Sequence, residues 1–372
     1  MKQSSDTRAN HKGVGKITGR QRVTMQDIAR VAGCSQPTVS IVLNGNDSIK
    51  ISDKTKARVL DAARELGYRP PGSRAQEQGA KPSQTAFFDG PVGIIVDNLA
   101  VSPEAVNAFD GMMQAVKTTG NIIILAETQN DPEREPKTIQ WLLDQGVQAI
   151  IYACVFTRRV ELPSLLHNAN ISVFLLNCYT DDLSYPSVVP GEVAGGHAAT
   201  NALIRAGHRR IGIIVGETYQ EGATSRLSGY RNALASADIP FEDDLVVEGN
   251  WLPSSGYNGT RKLMSLPQPP TAIFCQNDRM AVGCYEALKE LGLSIPCDVS
   301  VIGYDDDELA RHLSPPLTSM ILPSRAQGRW VIEQLFHGPR NEARHPLTKL
   351  ECELVERESI GPPKQTTTAN GT

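Results

Sequence analysis

Two hydrophobic patterns divide the chain. From Val23 to about residue 70, apolar residues recur at helical spacing in three short runs. From Pro91 onward, continuous apolar runs alternate with helical stretches. The patterns predict an α/β protein with a small all-α head at residues 23–70 and a larger α/β body at residues 91–361.

The head is predicted to contain three short helices. Thr24 and Asp27 form a capping box before the first helix, which ends at Gly33, and Ser35 and Ser52 are positioned to cap the next two. The apolar positions of the three helices are Ile28, Val31 and Ala32; Val39, Val42 and Leu43; and Val59, Leu60, Ala63 and Leu66. Two helices joined by a tight turn, with a third closing the core, form a helix-turn-helix arrangement.

The body carries seven apolar runs typical of buried parallel strands. They read VGIIV, NIIIL, AIIYACV, ISVFLL, RIGIIV, TAIFC and VSVIGYD. Helical stretches between them predict a doubly wound sheet, and the length predicts two lobes with a cleft between them. We expect the first lobe at about residues 91–190 and 322–337, and the second at about 191–321 and 338–361.

Charge separates the head from the body. Residues 1–81 carry 15 Lys and Arg against 7 Asp and Glu, a net charge of +8, and the remainder carries 22 against 34, a net charge of −12. This asymmetry indicates that the head meets a polyanion such as DNA. Polar composition predicts a disordered basic arm at residues 1–22, a linker at 71–90 and a disordered tail at 362–372.

The sequence argues against several other classes of protein. No window approaches a membrane span, and the N-terminal residues lack the apolar region of a secretory signal. Seven scattered cysteines without CxxC spacing indicate reduced thiols, so we expect a cytoplasmic protein without a metal site. No catalytic or cofactor-binding motif is found, so we expect no enzyme activity and no cofactor. The alternatives left open are a periplasmic-type sugar-binding protein and a sugar-processing enzyme on the same body.

Five segments in order carry a specific resemblance: VTMQDIARVAGCSQPTVSIVLNG, ISDKTKARVLDAARELGYRP, AGHRRIGIIVGE, SRLSGYRNAL and the block PTAIFCQNDRMAVGCYEALKELGLSIPCDVSVIGYDDDELARHLSPPLTSM. From about Val23 to residue 360, the chain resembles the lactose/galactose-repressor (LacI-type) family of bacterial transcription regulators. The resemblance implies a body similar to periplasmic sugar-binding proteins. It also implies a repressor of carbohydrate-utilisation genes, controlled by a sugar-type effector and binding a pseudo-palindromic operator. The C-terminal region lacks a leucine heptad, so a homodimer is expected.

The resemblance assigns DNA-contacting positions around the second helix. It implies that Gln36, Pro37 and Ile41 face the bases, and glutamine suits an adenine edge. The positions implied to contact phosphates are Thr24, Ser35, Thr38, Ser40 and Asn44. Ile41 departs from the family, which usually has an arginine there, and it can offer only apolar contact to a thymine methyl group. The linker also departs, because no leucine lies between Arg69 and Val92 to wedge into the minor groove, which predicts a less bent operator.

The resemblance also places effector contacts at loops that follow strands. Asp305 can accept hydrogen bonds from two hydroxyls, Asn277 can donate and accept, Arg226 is a donor fork, and Trp251 is an apolar platform for a sugar face. Asn177 is a further contact on the family pattern.

Nearby positions refine this expectation. Asp278 and Asp306 are expected to have structural roles. Glu104 and Ala105 stand where the family often has two phenylalanines, and Pro190 replaces a usual acidic residue. A purine sandwich is therefore disfavoured, and a polyhydroxylated ligand fits better.

Overall fold

The computed structural model describes residues 25–43, 52–65, 90–101, 103–117, 119–338 and 344–364. The chain divides into two compact units, residues 1–83 and 84–372. Within the described parts of the chain, no helix is both long and apolar enough to cross a membrane.

The first unit contains the three predicted helices: α1 at Met25–Ala32, α2 at Gln36–Leu43 and α3 at Asp53–Glu65. Ile28, Val39 and Val59 are fully buried at the centre of their core. The caps predicted for α2 and α3 are confirmed, because the Ser35 hydroxyl accepts from the Thr38 amide at 3.4 Å and the Ser52 hydroxyl from the Thr55 amide at 3.3 Å.

Two predicted core positions in this unit are wrong. Val31 and Leu60 are 50% and 47% exposed, whereas Ala29 and Ala62 are buried. Only a narrow stripe of each short helix faces the shared core. Val31 and Leu60 lie just outside that stripe, although both fit a helical period.

The described residues of the second unit form two six-stranded sheets, each covered by helices on both faces. The first lobe consists of β1 at Val92–Val96, α4 at Pro103–Val116, β2 at Ile123–Glu127, α5 at Arg134–Asp144, β3 at Ala149–Arg159, α6 at Ser164–Asn168, β4 at Ser172–Tyr179, β5 at Ser187–Pro190, α11 at Ser324–His337 and β11 at Thr348–Leu350. Its strand order is β11-β5-β4-β3-β1-β2, with all neighbours parallel.

The second lobe repeats this plan. It consists of α7 at Glu192–Arg205, β6 at Ile211–Val215, α8 at Glu221–Ser236, β7 at Val246–Glu248, α9 at Pro253–Met264, β8 at Ala272–Cys275, α10 at Asp278–Glu290, β9 at Ser300–Asp305, β10 at Thr318–Ile321 and β12 at Leu354–Val355. The strand order is β12-β10-β9-β8-β6-β7, and only β12 runs antiparallel to its neighbour. The chain therefore crosses between the sheets after β5, after β10 and after β11.

The structure corrects three details of the predicted body. Each of the seven apolar runs contains a strand, but β2 is an edge strand, with Ile122 70% and Leu125 37% exposed. Strands β5, β7, β10, β11 and β12 were not predicted, because they are two to four residues long and lack a distinctive apolar run. Residues 338–361 do not lie wholly in the second lobe, because β11 pairs with β5 of the first.

A buried histidine attaches the C-terminal segment to the second lobe. His208 is 1% exposed; its Nε2 lies 2.9 Å from the Gly361 carbonyl and its Nδ1 2.9 Å from the Thr271 hydroxyl. Since the carbonyl can only accept, Nε2 carries the proton and Nδ1 accepts from Thr271. Burial lowers the pKa of His208, although the bond to Gly361 opposes this. The folded ring is therefore neutral at pH 8, which is above its lowered pKa.

Replacing His208 with alanine is expected to lower the free energy of unfolding by about 1–3 kcal/mol at pH 8, because buried polar partners are left unsatisfied. The stabilisation from the neutral ring is fully present above the unfolded pKa and decreases as the pH falls from there to the lowered folded pKa, because in that window only the unfolded chain gains a proton. Urea unfolding should show a smaller difference at pH 5.5. The matched variant His312→Ala, at a side chain that is 69% exposed, should change little at either pH. Equal losses in the two variants would contradict this role.

Candidate functional site

A solvent-open cavity lies between the lobes of the second unit. It is at the carboxyl ends of the parallel strands, where ligands bind in sheets of this type. The five predicted effector contacts line it together: Asn177 from the first lobe, and Arg226, Trp251, Asn277 and Asp305 from the second. Residues as far apart in the chain as Asn177 and Asp305 thus line the same concave surface.

Arg226 lies at the centre of the polar wall and is only 5% exposed. Its Nε donates to Glu192 Oε2 at 2.7 Å and its Nη2 to Glu192 Oε1 at 3.0 Å. Nη1 donates to the Gln276 carbonyl and lies 3.5 Å from Asp305 Oδ1. Burial alone would lower the pKa of this guanidinium, but Glu192 and Asp305 raise it above its usual value. Arg226 is a fixed cation bound mainly to the protein.

The close approach of α7 and α8 creates this ion pair. Glu192 begins α7 and Arg226 lies in α8. A Cβ atom added at Gly196 would lie 2.3 Å from the Arg226 carbonyl, and one at Gly229 would lie 2.2 Å from the Val193 carbonyl. Only glycine allows the two backbones to approach this closely, so these two positions control the geometry of the pair.

Trp251 forms an apolar part of the wall in a left-handed backbone conformation, with φ of +66°. Its ring contacts Gly216 so closely that a Cβ there would lie 1.9 Å from a ring carbon. The Arg226 guanidinium lies 5.7 Å from the Trp251 ring centroid and 3.7 Å from that of Tyr304, a buried residue that was not among the predicted contacts. The arginine is thus held between two aromatic rings as well as by its carboxylate partner.

The two asparagines of the cavity have most of their hydrogen bonds within the protein. Asn277 caps α10, accepting from the Met280 amide at 2.8 Å, and donates to the Trp251 carbonyl at 3.1 Å. Asn177 donates to the carbonyls of Cys154 and Val155 at 3.1 and 2.8 Å. Its side-chain oxygen accepts from Thr157 at 2.6 Å. Both amides therefore shape the wall more than they offer free donors to a ligand.

Asp305 has a strained backbone at the end of β9, with φ of +99°. Burial raises the pKa of its carboxyl well above the usual range, Arg226 opposes this, and Glu104 adds to it. The following Asp306 forms an ion pair with Arg357 at 2.6 Å, in agreement with the expected structural role. The strain places the Asp305 carboxylate, which is 19% exposed, at the cavity wall.

Asp278 also lines the cavity and is 1% exposed. It accepts from the Ser319 hydroxyl at 2.6 Å and from the Asp307 amide at 2.8 Å. A Cβ atom at Gly303 would lie 2.0 Å from its carboxylate, so glycine makes room for this contact. Burial raises the pKa of Asp278 to about 7, with smaller contributions from Asp306 and Asp307. These contacts agree with the structural role expected from the sequence.

Besides Asp278, four other charged residues of the cavity were not among the predicted contacts: Glu104, Glu192, Arg279 and Asp307. Glu192 follows Pro190 by two residues, so an acidic residue displaced from the usual family position was a usable signal. Glu104 was noted only as a departure from a phenylalanine. Its side chain is nevertheless buried in the wall, where its Oε2 accepts from the Ser324 hydroxyl at 2.9 Å.

The described residues that are predicted to contact DNA lie directly before α2 and along it, in the first unit. Ser35 and Gln36 are exposed, Thr38 is partly exposed, and the Ser35 and Thr38 hydroxyls lie 2.8 Å apart. Pro37, Ser40 and Ile41 lie within α2. Thr24, Asn44, the arm at 1–22, nearly all of the linker at 71–90 and most of the tail at 362–372 lie outside the described residues.

Comparisons with known proteins give matches for both units. Residues 24–71 match the family model "Bacterial regulatory proteins, lacI family", and residues 200–360 match "Periplasmic binding protein-like domain". The ribose operon repressor of Haemophilus influenzae is 34% identical over 91% of this chain and 98% of its own length, and that of Escherichia coli (strain K12) is 32% identical over 84% and 92%. A solved complex of the transcriptional regulator CelR with cellobiose is 28% identical, with a TM-score of 0.60, over 91% of this chain and 100% of its own.

Proposed function

Because the chain belongs to the LacI family of bacterial transcription regulators, we propose that it represses carbohydrate-utilisation genes in the cytoplasm under the control of a sugar-type effector. The observation that carries the effector part is the convergence of Arg226, Trp251, Asn277 and Asp305 on one interlobe cavity. Its relatives are repressors rather than enzymes, and the helix-turn-helix unit distinguishes it from a periplasmic binding protein.

The two units suggest how a ligand controls DNA binding. Side chains at the start of α2 read base edges in the major groove, while neighbouring hydroxyls contact phosphates. An effector shifts the population of lobe arrangements only by the difference in its affinity for them. Because residues of both lobes line the cavity, the affinity of a ligand depends on the separation of the lobes. In a dimer, a change in that separation alters the spacing of the two DNA-binding heads.

The test of this proposal is a genomic footprint of the purified full chain, followed by titration of sugars against the recovered operator. A pseudo-palindromic footprint that one sugar weakens or strengthens supports the proposal. Binding without sequence preference, or turnover of a sugar by the protein, contradicts it. Asp305→Asn serves as the cavity control, because it should retain the footprint while weakening the response to the sugar.

Replacing Ile41 with arginine is expected to change the base preference at one position in each operator half-site. Arginine can bond two acceptors on a guanine edge, and one such contact changes discrimination by about 1–3 kcal/mol. A binding assay on an operator library should show guanine enriched at that position. Lys54→Arg, at an exposed residue of α3, is the control for adding a guanidinium group elsewhere in the DNA-binding head. An unchanged base profile would contradict the placement of α2 in the groove.

The proposed homodimer has a candidate contact on α4 of the first lobe. Val106 and Met113, two turns apart on this helix, are 56% and 44% exposed. Two charges placed there should raise the dimer dissociation constant at least about tenfold, which corresponds to 1.4 kcal/mol. Sedimentation analysis of the double variant Val106→Asp and Met113→Asp would measure this, with Val193→Asp on α7 as the control. An unchanged dissociation constant would exclude this face.

A further inference from the structure

A side-chain hydrogen bond joins the two lobes beside the effector cavity. Tyr179 ends β4 in the first lobe, and Glu221 begins α8 in the second. The Tyr179 hydroxyl lies 3.1 Å from each oxygen of the Glu221 carboxylate. Because an ionised carboxylate can only accept, the hydroxyl is the donor. These two residues form what we call the interlobe hydrogen bond, between positions 42 residues apart in the chain.

The interlobe hydrogen bond lies at the edge of the effector cavity. Asn177, two residues before Tyr179, lines that cavity. So do Gln220 and Gly222, the chain neighbours of Glu221. Tyr179 and Glu221 themselves line a second opening between the same lobes, and Gly222 lines both. A change at the bond therefore reaches the cavity through adjacent residues of the same strand and helix.

The surroundings favour a bond to an ionised partner. Burial raises the pKa of the Tyr179 hydroxyl, and the Glu221 carboxylate raises it further, whereas Arg159 opposes this. The hydroxyl is therefore protonated at neutral pH and can donate. Hydrogen bonds with one ionised partner are roughly twice as strong as neutral ones. Both side chains are only partly buried, so water replaces part of this interaction when the lobes separate.

The interlobe hydrogen bond differs from the backbone bonds at the chain crossings. The Gly191 amide donates to the Leu350 carbonyl at 2.7 Å, and the Leu322 amide donates to the Asp305 carbonyl at 3.4 Å. These bonds lie where the chain passes from one lobe to the other, so a rotation about the crossings changes them least. An increase of about 1 Å in the separation of Tyr179 from its partner would exceed hydrogen-bonding distance. The interlobe bond is therefore sensitive to the separation of the lobes.

We propose that the interlobe hydrogen bond sets the balance between lobe separations, and that Tyr179 and Glu221 thereby adjust how strongly an effector changes the affinity for DNA. The bond forms at the separation that the structure shows and is lost when the lobes move apart, so it favours the first arrangement. One such bond shifts a two-state population by about threefold to tenfold. The inference rests on the proposed function, because it assigns regulation to the cavity that the effector occupies.

Distance measurements by electron spin resonance on the full chain test the inference. Nitroxide labels on the exposed Cys297 of the second lobe and on Lys137→Cys, on α5 of the first, report the lobe separation. Cys34→Ala removes the other cysteine that is not buried, and an excess of unlabelled chain restricts the signal to pairs within one protomer. Tyr179→Phe keeps the ring and removes the donor. We expect it to change the ratio of the distance populations by about threefold to tenfold.

Two further variants make the result specific to this bond. Glu221→Gln keeps an acceptor but loses the charge, so its shift should be smaller. The double variant should match Tyr179→Phe alone, because both changes remove the same bond. Tyr219→Phe is the matched control, because the Tyr219 hydroxyl lies 3.0 Å from Glu217 Oε2 within the second lobe. It removes a tyrosine–glutamate bond that does not join the lobes, and the distances should stay unchanged.

An unchanged distance distribution in Tyr179→Phe, or additive shifts in the double variant, would overturn the inference. Operator binding distinguishes this failure from that of the proposed function. The dissociation constant for the operator recovered by footprinting should change by about threefold to tenfold in Tyr179→Phe and stay within about twofold in Tyr219→Phe. If the distances shift and the affinity for the operator does not follow, the bond controls the lobes, but the proposed coupling of the lobes to DNA binding is wrong.

Discussion

Replacing Arg226 with methionine is expected to lower the free energy of unfolding by about 3–5 kcal/mol. Arg226 and Glu192 form a buried ion pair whose side chains are 6% and 7% exposed. Without the guanidinium, the Glu192 carboxylate is left buried and unpaired, and Asp305 loses the Arg226 group that lies 3.5 Å from its Oδ1. Urea unfolding at pH 7.5 measures the loss, and the variant should also lose its response to the effector.

A double variant separates the ion pair from simple loss of packing. Replacing Arg226 with methionine and Glu192 with leucine removes both charges and keeps similar volumes, so it should be more stable than the single Arg226 variant. Apolar replacement of a whole buried pair is often neutral, whereas removal of one partner is not. Arg261→Met, at a side chain that is 49% exposed, is the control for arginine loss at the surface. A single variant within about 1 kcal/mol of the wild type would refute this account.

Replacing Asp278 with asparagine is expected to stabilise the protein above neutral pH. The pKa of the buried carboxyl is raised from 3.8 to about 7. The folded state therefore binds the extra proton between these values, and its stability decreases as the pH rises through that window. Asparagine imitates the protonated acid, since its amide can donate to Ser319 while its oxygen accepts from Asp307. The difference in unfolding free energy between variant and wild type should grow by about 3 kcal/mol from pH 5 to pH 8.

Taking the difference in unfolding free energy between variant and wild type cancels the contributions of the other titrating groups. His208, whose lowered pKa has the opposite effect on stability, is present in both proteins. Asp243→Asn, at an exposed residue, is the control for removing one surface carboxyl group. A difference for Asp278→Asn that stays constant with pH would show that this carboxyl titrates normally when folded.

Local patterns were sufficient for most of the secondary structure. The caps at Ser35 and Ser52 were recognisable because each serine lies directly before an apolar helical period, and the bond from its hydroxyl is local. Six of the seven predicted strands were recognisable because burial on both faces demands uninterrupted apolar residues, and the edge strand β2 has the same apolar pattern although it is only partly buried. The short strand β11 had no such signal, since its identity depends on pairing with β5, more than 150 residues earlier.

The sequence was sufficient to predict several residues that line the cavity, but not the hydrogen bonds that they form. Asn277 and Asp305 could be selected because Asp305 ends β9 and Asn277 lies two residues after the end of β8. The commitment of Asn277 to Met280 and Trp251 could not be foreseen, because it depends on the position of a distant loop. Glu104 was missed as a member of the wall for a related reason. An isolated glutamate in a first helical turn is ordinarily solvated, and only the packing of α4 beside Ser324 buries it.

By itself, the sequence determined the helix-turn-helix unit, the α/β lobes, the family and the candidate positions in α2 and at the strand ends. These depend on periodicity and on short motifs, which act between neighbours in the chain. Only the tertiary structure decided that Glu192 neutralises Arg226, that Glu104 lies across the cavity from Asp305 and that Asp278 is buried against Gly303. Those arrangements depend on contacts between residues far apart in the chain, because burial and electrostatic interaction are properties of the folded surroundings.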